Sequence, residues 1–389
     1  MTATMSDAAH HALVRLRRWL EGGNRTPEEI RATVYDLGLA WPHFPLGAGG
    51  LGLDRSDSGP VAAQLSEWGV PPVPPRSVIA VGMAAPTLVK HGGAHHHPLL
   101  RGIYADQEIW CQFFSEPNAG SDLANVATTA RRDGEQWVVN GAKVWTSLAH
   151  EAQWAMLLAR TDPDAPKHHG LTFFILRLDT PGVCVRPLFQ ITGEAEFNEV
   201  ILEDVVIPDS DRLGEVGGGW SVALATLASE RGALSNVVRS SGNPIDRAIR
   251  LWQRCDHRNP TDRARLADLW IREQLVAATL RRTAADTTGN IGPMNKVFWA
   301  ELHQDIAEFS MDLLGQNALE YPRGYPMSRP DIGSEAEEPP QYDYLRSRAN
   351  SIEGGTSEIL RTLIGERILG LEPEPRVDKV VPWRETRRG

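Results

Sequence analysis

Two short motifs, far apart in the sequence, contain the residues best suited to ligand chemistry. The first, Phe114–Asp122, is FSEPNAGSD, and the second, Glu353–Ile359, is EGGTSEI. Both combine glycine with hydroxyl and carboxyl side chains, and Pro117 imposes a turn on the first. Glycine and such a turn let the main chain approach a polar heterocycle or a phosphate closely. We therefore interpret the two motifs as parts of one binding site.

A third motif, Lys143–Ser147 (KVWTS), follows the first and lies at the edge of a predicted strand. It supplies the flat indole of Trp145 and the hydroxyls of Thr146 and Ser147. A flavin ring needs a flat surface to pack against and hydrogen-bond donors at its edge. The alternative for Trp145 is an ordinary core residue of a strand.

The motifs are more specific together than singly, because they occur in a particular order along the chain. SEPNAGSD, KVWTS, a helix that carries Ser229–Arg231, and IEGGTSEI followed by ERILGL together resemble the acyl-CoA dehydrogenase family. The resemblance covers nearly the whole chain, from about Leu37 to the C-terminal tail. It implies a flavoprotein that binds FAD noncovalently.

The resemblance also implies which residues contact FAD. Trp145 would pack against the isoalloxazine ring, and the Ser147 hydroxyl would approach its N5 atom. Ser115 and the main-chain amides around Phe113 and Glu116 would meet the pyrimidine edge. The full set of expected FAD contacts is Phe113, Ser115, Glu116, Gly120, Ser121, Trp145, Thr146, Ser147, Thr356, Ser357 and Glu358, and the expected substrate contacts are Ser121, Arg231 and Gly355.

Desaturation of an acyl thioester needs a base for the α-proton, an acceptor for the β-hydride and a donor that stabilises the developing enolate. Protein side chains cannot accept hydride, so the flavin must. By the resemblance, the main-chain amide of Gly354 donates to the thioester carbonyl oxygen as it gains negative charge. Thr356 is also suited to cap the helix that follows.

Two carboxylates compete for the role of the base. Many relatives place a catalytic glutamate directly before a single glycine and the threonine, but Gly354 occupies that position here and Glu353 lies one residue early. A minority, isovaleryl-CoA dehydrogenase among them, supply the base from the first long C-terminal helix, directly before an arginine. Glu230 and Arg231 match that pattern. We assign the base to Glu230, with Glu353 and a subunit without a base as alternatives.

Composition narrows the class of protein. The 389 residues, 41% of them hydrophobic, suffice for a large core and two or three domains. A net charge of −10 argues against a nucleic-acid binder, which would need a basic surface. No apolar run approaches membrane-spanning length and the N-terminus does not resemble a secretion signal, so we expect a cytoplasmic protein without membrane contact. The three scattered cysteines and the histidine clusters indicate neither disulfides nor a metal site.

Hydrophobic periodicity changes from helical to alternating and back along the chain. Within Gln136–Trp145, the pair Asn140–Gly141 predicts a hairpin turn. The predicted fold class is α+β, mostly α, which is also the architecture of the family that the motifs resemble. The predicted domains are an N-terminal helical domain (1–110), a middle antiparallel β-barrel (111–214), a C-terminal four-helix bundle (215–371) and a tail (372–389).

The expected function is FAD-dependent α,β-dehydrogenation of an acyl-CoA thioester to the trans-2-enoyl thioester, with electrons passed to an electron-transfer flavoprotein. An acyl-carrier thioester is an alternative substrate. A flavin oxidase or monooxygenase on the same fold, or a noncatalytic subunit of a heteromeric dehydrogenase, is an alternative function.

Two features of the family are missing, and both concern the assembly. Relatives complete the FAD site across subunits, which implies a homodimer, a homotetramer or a heterotetramer. The usual arginine followed three residues later by Phe-Gly is absent from Arg254–Arg265, and a glycine-rich turn is reduced to Gly315–Asn317. These departures resemble bacterial members from steroid side-chain and secondary-metabolite pathways, some of which are heteromeric.

Overall fold

The computed structural model describes residues 5–237, 243–255, 259–283, 291–322, 324, 326–330 and 338–386. The chain divides into two compact units. Unit 1 contains Met1–Pro187, Phe197–Ser229 and Asp378–Gly389, and unit 2 contains Leu188–Glu196 and Glu230–Val377. Among the described helices, none combines the length and the apolar character that a membrane span requires.

Unit 1 begins with five helices. The first two start where the sequence supplies caps: Ser6 accepts a hydrogen bond from the Ala9 amide, and Thr26 forms a reciprocal capping box with Glu29. Helical periodicity in the sequence predicted the first four of these helices, the fourth as a longer run over Ser77–His91. The helices are α1 (Asp7–Leu20), α2 (Pro27–Asp36), α3 (Ser58–Glu67), α4 (Ala85–His91) and α5 (His97–Tyr104).

One sheet follows the helices. Its strands are β1 (Trp110–Phe113), β2 (Thr129–Asp133), β3 (Gln136–Ser147), β4 (Trp154–Arg160), β5 (Leu171–Arg177), β6 (Val183–Pro187), β7 (Phe197–Pro208) and β8 (Arg212–Leu213). Their order is β6-β7-β3-β2-β4-β5-β8, with β1 added against β4. The pairs β1–β4 and β2–β4 are parallel and the others are antiparallel.

The sheet corrects the expectation of an antiparallel barrel. It is mixed, and in the described part of the chain β6 pairs only with β7 and β8 only with β5. A barrel requires its two edge strands to pair with each other, which these do not. Alternation in the sequence reports which faces of a strand are buried, and not which strand lies beside it.

The predicted hairpin at Asn140–Gly141 is also wrong, because β3 continues through both residues. The register against β7 shifts between Val139 and Gly141, which is a bulge. The Asn140 side chain exchanges two hydrogen bonds of 2.9 Å with Asp204, one to its carboxylate and one from its amide. A Cβ on Gly141 would lie 2.4 Å from the Thr128 hydroxyl, so glycine is needed here for close packing.

The core of unit 1 joins the N-terminal helices to the sheet. Met83 and Leu100 from the helices pack with Trp110, Leu158 and Phe173 from the strands, and all five are buried. β4 and β5 are buried along almost their whole length. Such strands form a rigid support for the loops at their ends.

Unit 2 contains helices that come mainly from the C-terminal half. They are the second part of α6 (Gly219–Val237), then α7 (Pro244–Arg254), α8 (Pro260–Thr283), α9 (Ile291–Leu314), α10 (Pro340–Ser347) and α11 (Ser357–Leu363). The four-helix prediction is corrected in two respects: α7 is additional, and the run predicted as one helix over 347–369 is interrupted. Gly354 and Gly355 have φ of +63° and +98°, which an α-helix cannot contain.

Candidate functional site

The first motif forms a tight turn after β1. Phe113 is fully buried in the sheet, and Glu116 exchanges two main-chain hydrogen bonds of 3.0 Å with Ala119 around Pro117–Asn118. The Glu116 amide is therefore already engaged. Gly120 and Ser121 continue the chain on the surface, and a Cβ built on Gly120 would meet no atom within 4 Å.

A buried ion pair joins the first motif to the third. The Lys143 ammonium lies 2.8 Å from Oε1 of Glu116 and also donates to the carbonyls of Phe114 (3.0 Å) and Leu158 (2.8 Å). The same carboxylate accepts from the amides of Ala127 and Thr128 at 2.6 and 2.9 Å. Burial acts to raise the pKa of Glu116, but Lys143 and these amides outweigh it and the net direction is downward.

Trp145 projects from a bulge in β3. The register of β3 against β7 shifts between Lys143 and Thr146, and Trp145 has φ of +61°. This left-handed conformation is unfavourable for a bulky side chain, and such strain concentrates at functional sites. The indole is 56% exposed, with one edge-on contact to Phe197 at 5.8 Å between ring centroids. The alternative of a core tryptophan is therefore wrong.

The predicted hydroxyl groups differ in what they can bind. Thr146 is fully buried and donates to the Asn198 carbonyl at 2.7 Å, so its side chain is committed to the sheet. By contrast, the hydroxyls of Ser115, Ser121 and Ser147 form no hydrogen bond with any residue that the structure describes. Ser121 is exposed, and Ser115 and Ser147 are half-buried.

In unit 2, the second motif is a glycine turn with unused amides. Gly354 and Gly355 both have positive φ, which only glycine adopts without strain. Lys296 donates to the Gly355 carbonyl at 2.7 Å and so holds the turn. Within the described ranges, the amides of Gly354 and Gly355 donate to no acceptor. Two adjacent open amides can stabilise an oxygen that gains negative charge.

The turn leads directly into α11. Thr356 caps the helix, as predicted, by accepting from the Ile359 amide at 3.2 Å. Ser357 is buried, and its hydroxyl oxygen has no partner in the described part of the chain. Glu358 is exposed in the first turn. A buried hydroxyl without a partner is costly, which favours a ligand group as its partner.

Glu353 is engaged by an arginine. Arg346 contacts the Glu353 carboxylate at 3.2 Å and approaches Glu196 at 3.7 Å. Tyr342 donates to the neighbouring Glu194 at 2.8 Å. Burial raises the pKa of Glu196, and the charges of Glu353 and Glu194 add to this effect. The sequence did not indicate this cluster, since its members come from separate segments with no local pattern.

Glu230 lies within the helix α6, and Arg231 directly follows it in the sequence. Both side chains lie outside the described residues. The sequence around them, Ala225–Leu234, is mostly small and apolar. The helix prediction for this segment is confirmed, and the assignment of Glu230 as the base stays a prediction.

The described residues of unit 1 fit the flat ring of FAD. A strained, exposed indole at Trp145 offers a stacking face, and the open hydroxyls of Ser115 and Ser147 are on the two segments that the Lys143–Glu116 pair holds together. No group of three or more potential metal ligands occurs among the residues the structure covers.

Comparison with known proteins agrees with this geometry. Residues 111–205 match the family model "Acyl-CoA dehydrogenase, middle domain", and residues 217–369 match "Acyl-CoA dehydrogenase, C-terminal domain". The acyl-CoA dehydrogenase IpdE1 of Mycobacterium tuberculosis is 40% identical over 312 residues, which are 76% of this chain and 75% of that protein.

Solved structures share the fold over nearly the full length. The Tcur3481-Tcur3483 steroid ACAD has a TM-score of 0.71 at 24% identity and covers 96% of this chain and 100% of its own. The ChsE4-ChsE5 complex from Mycobacterium tuberculosis has a TM-score of 0.68 at 25% identity, covering 97% and 100%.

Proposed function

The chain belongs to the acyl-CoA dehydrogenase family, whose members are FAD-dependent oxidoreductases, and we propose that it desaturates an acyl-CoA thioester to the trans-2-enoyl thioester. The electrons then pass to an electron-transfer flavoprotein. The observation that carries the proposal is the bulge of β3 at Trp145. There the backbone is strained and the exposed indole lies on the same strand as the open hydroxyl of Ser147.

The binding of FAD is assigned to residues of the sequence motifs. Trp145 supplies the stacking face, and Ser115 and Ser147 supply donors at the ring edge. Gly120 and Ser121 leave room for close main-chain approach, and Ser357 supplies the buried hydroxyl in unit 2. When bound, FAD accepts the β-hydride of the substrate.

The proton chemistry is assigned to Glu230. Its rival Glu353 is engaged by Arg346, whose guanidinium lies 3.2 Å from the Glu353 carboxylate. The neighbours of Glu230 in the sequence, Ala225–Leu234, are mostly small and apolar, which suits the wall of a substrate site. The open amide of Gly354 is proposed to donate to the thioester oxygen as the enolate forms.

The decisive experiment is anaerobic titration of the purified protein with a panel of acyl thioesters. We expect a yellow protein with noncovalent FAD. Its flavin absorbance band, at roughly 450 nm, should bleach with at least one thioester, because the flavin is the hydride acceptor. The panel includes steroid-derived acyl-CoA esters, because one structural neighbour is a steroid ACAD. A protein that cannot be reconstituted with FAD would contradict the proposal.

Reoxidation separates the alternatives. A dehydrogenase keeps its reduced flavin long enough to transfer electrons to an electron-transfer flavoprotein, whereas an oxidase reacts rapidly with oxygen. Stopped-flow mixing of the reduced enzyme with each acceptor distinguishes the two. Full FAD occupancy without bleaching by any thioester would instead indicate a noncatalytic subunit.

An oligomer, with a second copy or a related chain, is also part of the proposal. Exposed apolar side chains occur on the packed helices α8 and α9: Trp270 is 46%, Leu275 61% and Phe298 56% exposed. Apolar groups of this size on neighbouring helices favour a protein interface. Leu275→Glu should reduce the mass measured by light scattering, whereas the control Leu319→Glu, at a 91% exposed leucine outside these helices, should not.

A further inference from the structure

The segment 378–386, which the sequence indicated only as part of a charged tail, packs against the sheet of unit 1. Trp383 is 5% exposed. Its amide donates to the Ala165 carbonyl at 2.9 Å, and its indole N–H donates to Oδ1 of Asn125 at 2.8 Å. We call residues 378–386 the C-terminal strap.

Arg160 connects the strap to the loop that ends the first motif. Its guanidinium lies 4.4 Å from the centre of the Trp383 ring. The same buried group donates to the carbonyls of Ala124 at 2.7 Å and Val126 at 3.3 Å. A desolvated arginine over an indole is a strong cation–π contact, so Trp383 fixes the donor that holds these carbonyls.

Lys167 forms a second connection. Its ammonium lies 3.0 Å from each carboxylate oxygen of Asp122 and also pairs with Asp378 of the strap. Asp122 directly follows Ser121 in the first motif. One lysine therefore joins the strap to the residue beside a proposed ligand contact.

We propose that the C-terminal strap positions the loop 120–126 and thereby sets the affinity of the enzyme for its thioester substrate, with Trp383 as the main positioning residue. This inference rests on the proposed function, in which Ser121 contacts the ligands. The loop has two anchors. Glu116 is the first, through Lys143 and through the amides of Ala127 and Thr128. The strap is the second, through Asn125 and its neighbouring carbonyls.

The physical effect follows from the exposed part between these anchors. Gly120 and Ser121 are exposed and lie between the turn Glu116–Ala119 and the residues that the strap holds, so they are the part of the loop most sensitive to loss of the second anchor. If the second anchor is lost, the loop occupies its binding-competent conformation for a smaller fraction of the time, and the apparent affinity falls by that fraction. The rate of the chemical step should change little, because that step occurs after the ligand has bound.

The test compares Trp383→Ala with Arg384→Ala in the FAD-loaded protein. Arg384 is next to Trp383, but its side chain forms an exposed ion pair with Asp164 and touches neither Asn125 nor Arg160. We expect Trp383→Ala to raise the KM for an active thioester about tenfold, as for a loop ordered about a tenth of the time. Its kcat should stay within about twofold, and Arg384→Ala should change neither constant.

Hydrogen exchange gives a readout that does not depend on activity. In the Trp383→Ala protein, amides of residues 118–126 should exchange faster, whereas those of the buried strand β4 should not. Trp383→Phe keeps a ring beneath Arg160 and loses only the N–H to Asn125, so it should restore most of the affinity. Equal exchange and equal KM in Trp383→Ala and Arg384→Ala would overturn the inference.

If Trp383→Ala does not fold, Asn125→Ala tests the same connection from the other side. It removes the acceptor of the indole N–H and leaves the packing of the strap intact. It should raise KM about as much as Trp383→Phe does and less than Trp383→Ala, without a matching loss of kcat, and unchanged values would count against the strap. If the unaltered protein binds FAD and turns over normally and these variants behave in the same way, only the role of the strap is refuted. If the unaltered protein shows no flavin reduction, the proposed function is refuted.

Discussion

The ammonium of Lys143 lies 2.8 Å from the carboxylate of Glu116, with Lys143 fully buried and Glu116 nearly so. The two residues belong to different motifs, and each also bonds a main-chain group of a further segment: Lys143 donates to the Leu158 carbonyl of β4, and Glu116 accepts from the Thr128 amide before β2. The pair therefore holds the loop with Ser115 against the strand that carries Trp145. This buried pair helps to fix the position of Ser115 relative to Trp145, together with the main-chain hydrogen bond from Val144 to Ser115 at 2.9 Å.

Lys143→Met should strongly destabilise the protein. The substitution leaves the Glu116 charge buried without its partner, and loss of one member of such a pair costs about 3–5 kcal/mol. Chemical denaturation measures the change in the free energy of unfolding. As a control, Asp36→Asn breaks an exposed ion pair with Arg101 and should cost less than about 1 kcal/mol. Similar losses in both variants would contradict the importance of burial.

Stability should depend on pH through Glu116. Its pKa is lower in the folded state than its ordinary value of 4.5, so ionisation favours folding. This contribution is complete above that ordinary value and is lost as the pH falls through the lower folded-state pKa. The difference in unfolding free energy between the unaltered protein and Glu116→Gln should narrow as the pH is lowered from about 7 to about 3. A constant or growing difference would be inconsistent with this assignment.

Trp145→Gly should separate binding from stability. Glycine accepts the φ of +61° without strain, so the free energy of unfolding of the FAD-free protein should change by no more than about 1 kcal/mol. The affinity for FAD should fall at least tenfold, roughly the loss of one aromatic stacking contact. The matched control is Trp137→Ala at a buried tryptophan, which should cost about 3–5 kcal/mol. FAD binding by Trp145→Gly at full affinity would refute the stacking role.

Substitution of the two competing carboxylates should identify the base. Glu230→Gln should keep the fold and FAD while flavin reduction slows by a factor on the order of 100 or more, as for a lost general base. Glu353→Gln should weaken the contact with Arg346 and change the rate of reduction far less. Rapid mixing with a good substrate measures both rates. The reverse order would move the base to the glycine turn.

Much of the candidate site was predictable because its signals are local. Thr356 predicts the cap of the helix that follows it, from its residue type and position. The break at Gly354 and Gly355 was not predicted, since the run 347–369 reads as one helix. The strands β4 and β5 and the helices α1 and α2 follow from runs of apolar residues with a period that suits each element. These features depend on neighbours within a few positions, and the chain alone specifies them.

Only the tertiary structure decided which distant segments pair with each other. Asn140–Gly141 has the composition of a hairpin turn, yet pairing of β3 with β7 and the contact of Asn140 with Asp204 make it a bulge. The indole of Trp383 meets Asn125 across 258 positions of sequence. Such contacts form because separate segments bury polar groups together and each must find a partner there, and local patterns do not encode which segment supplies it.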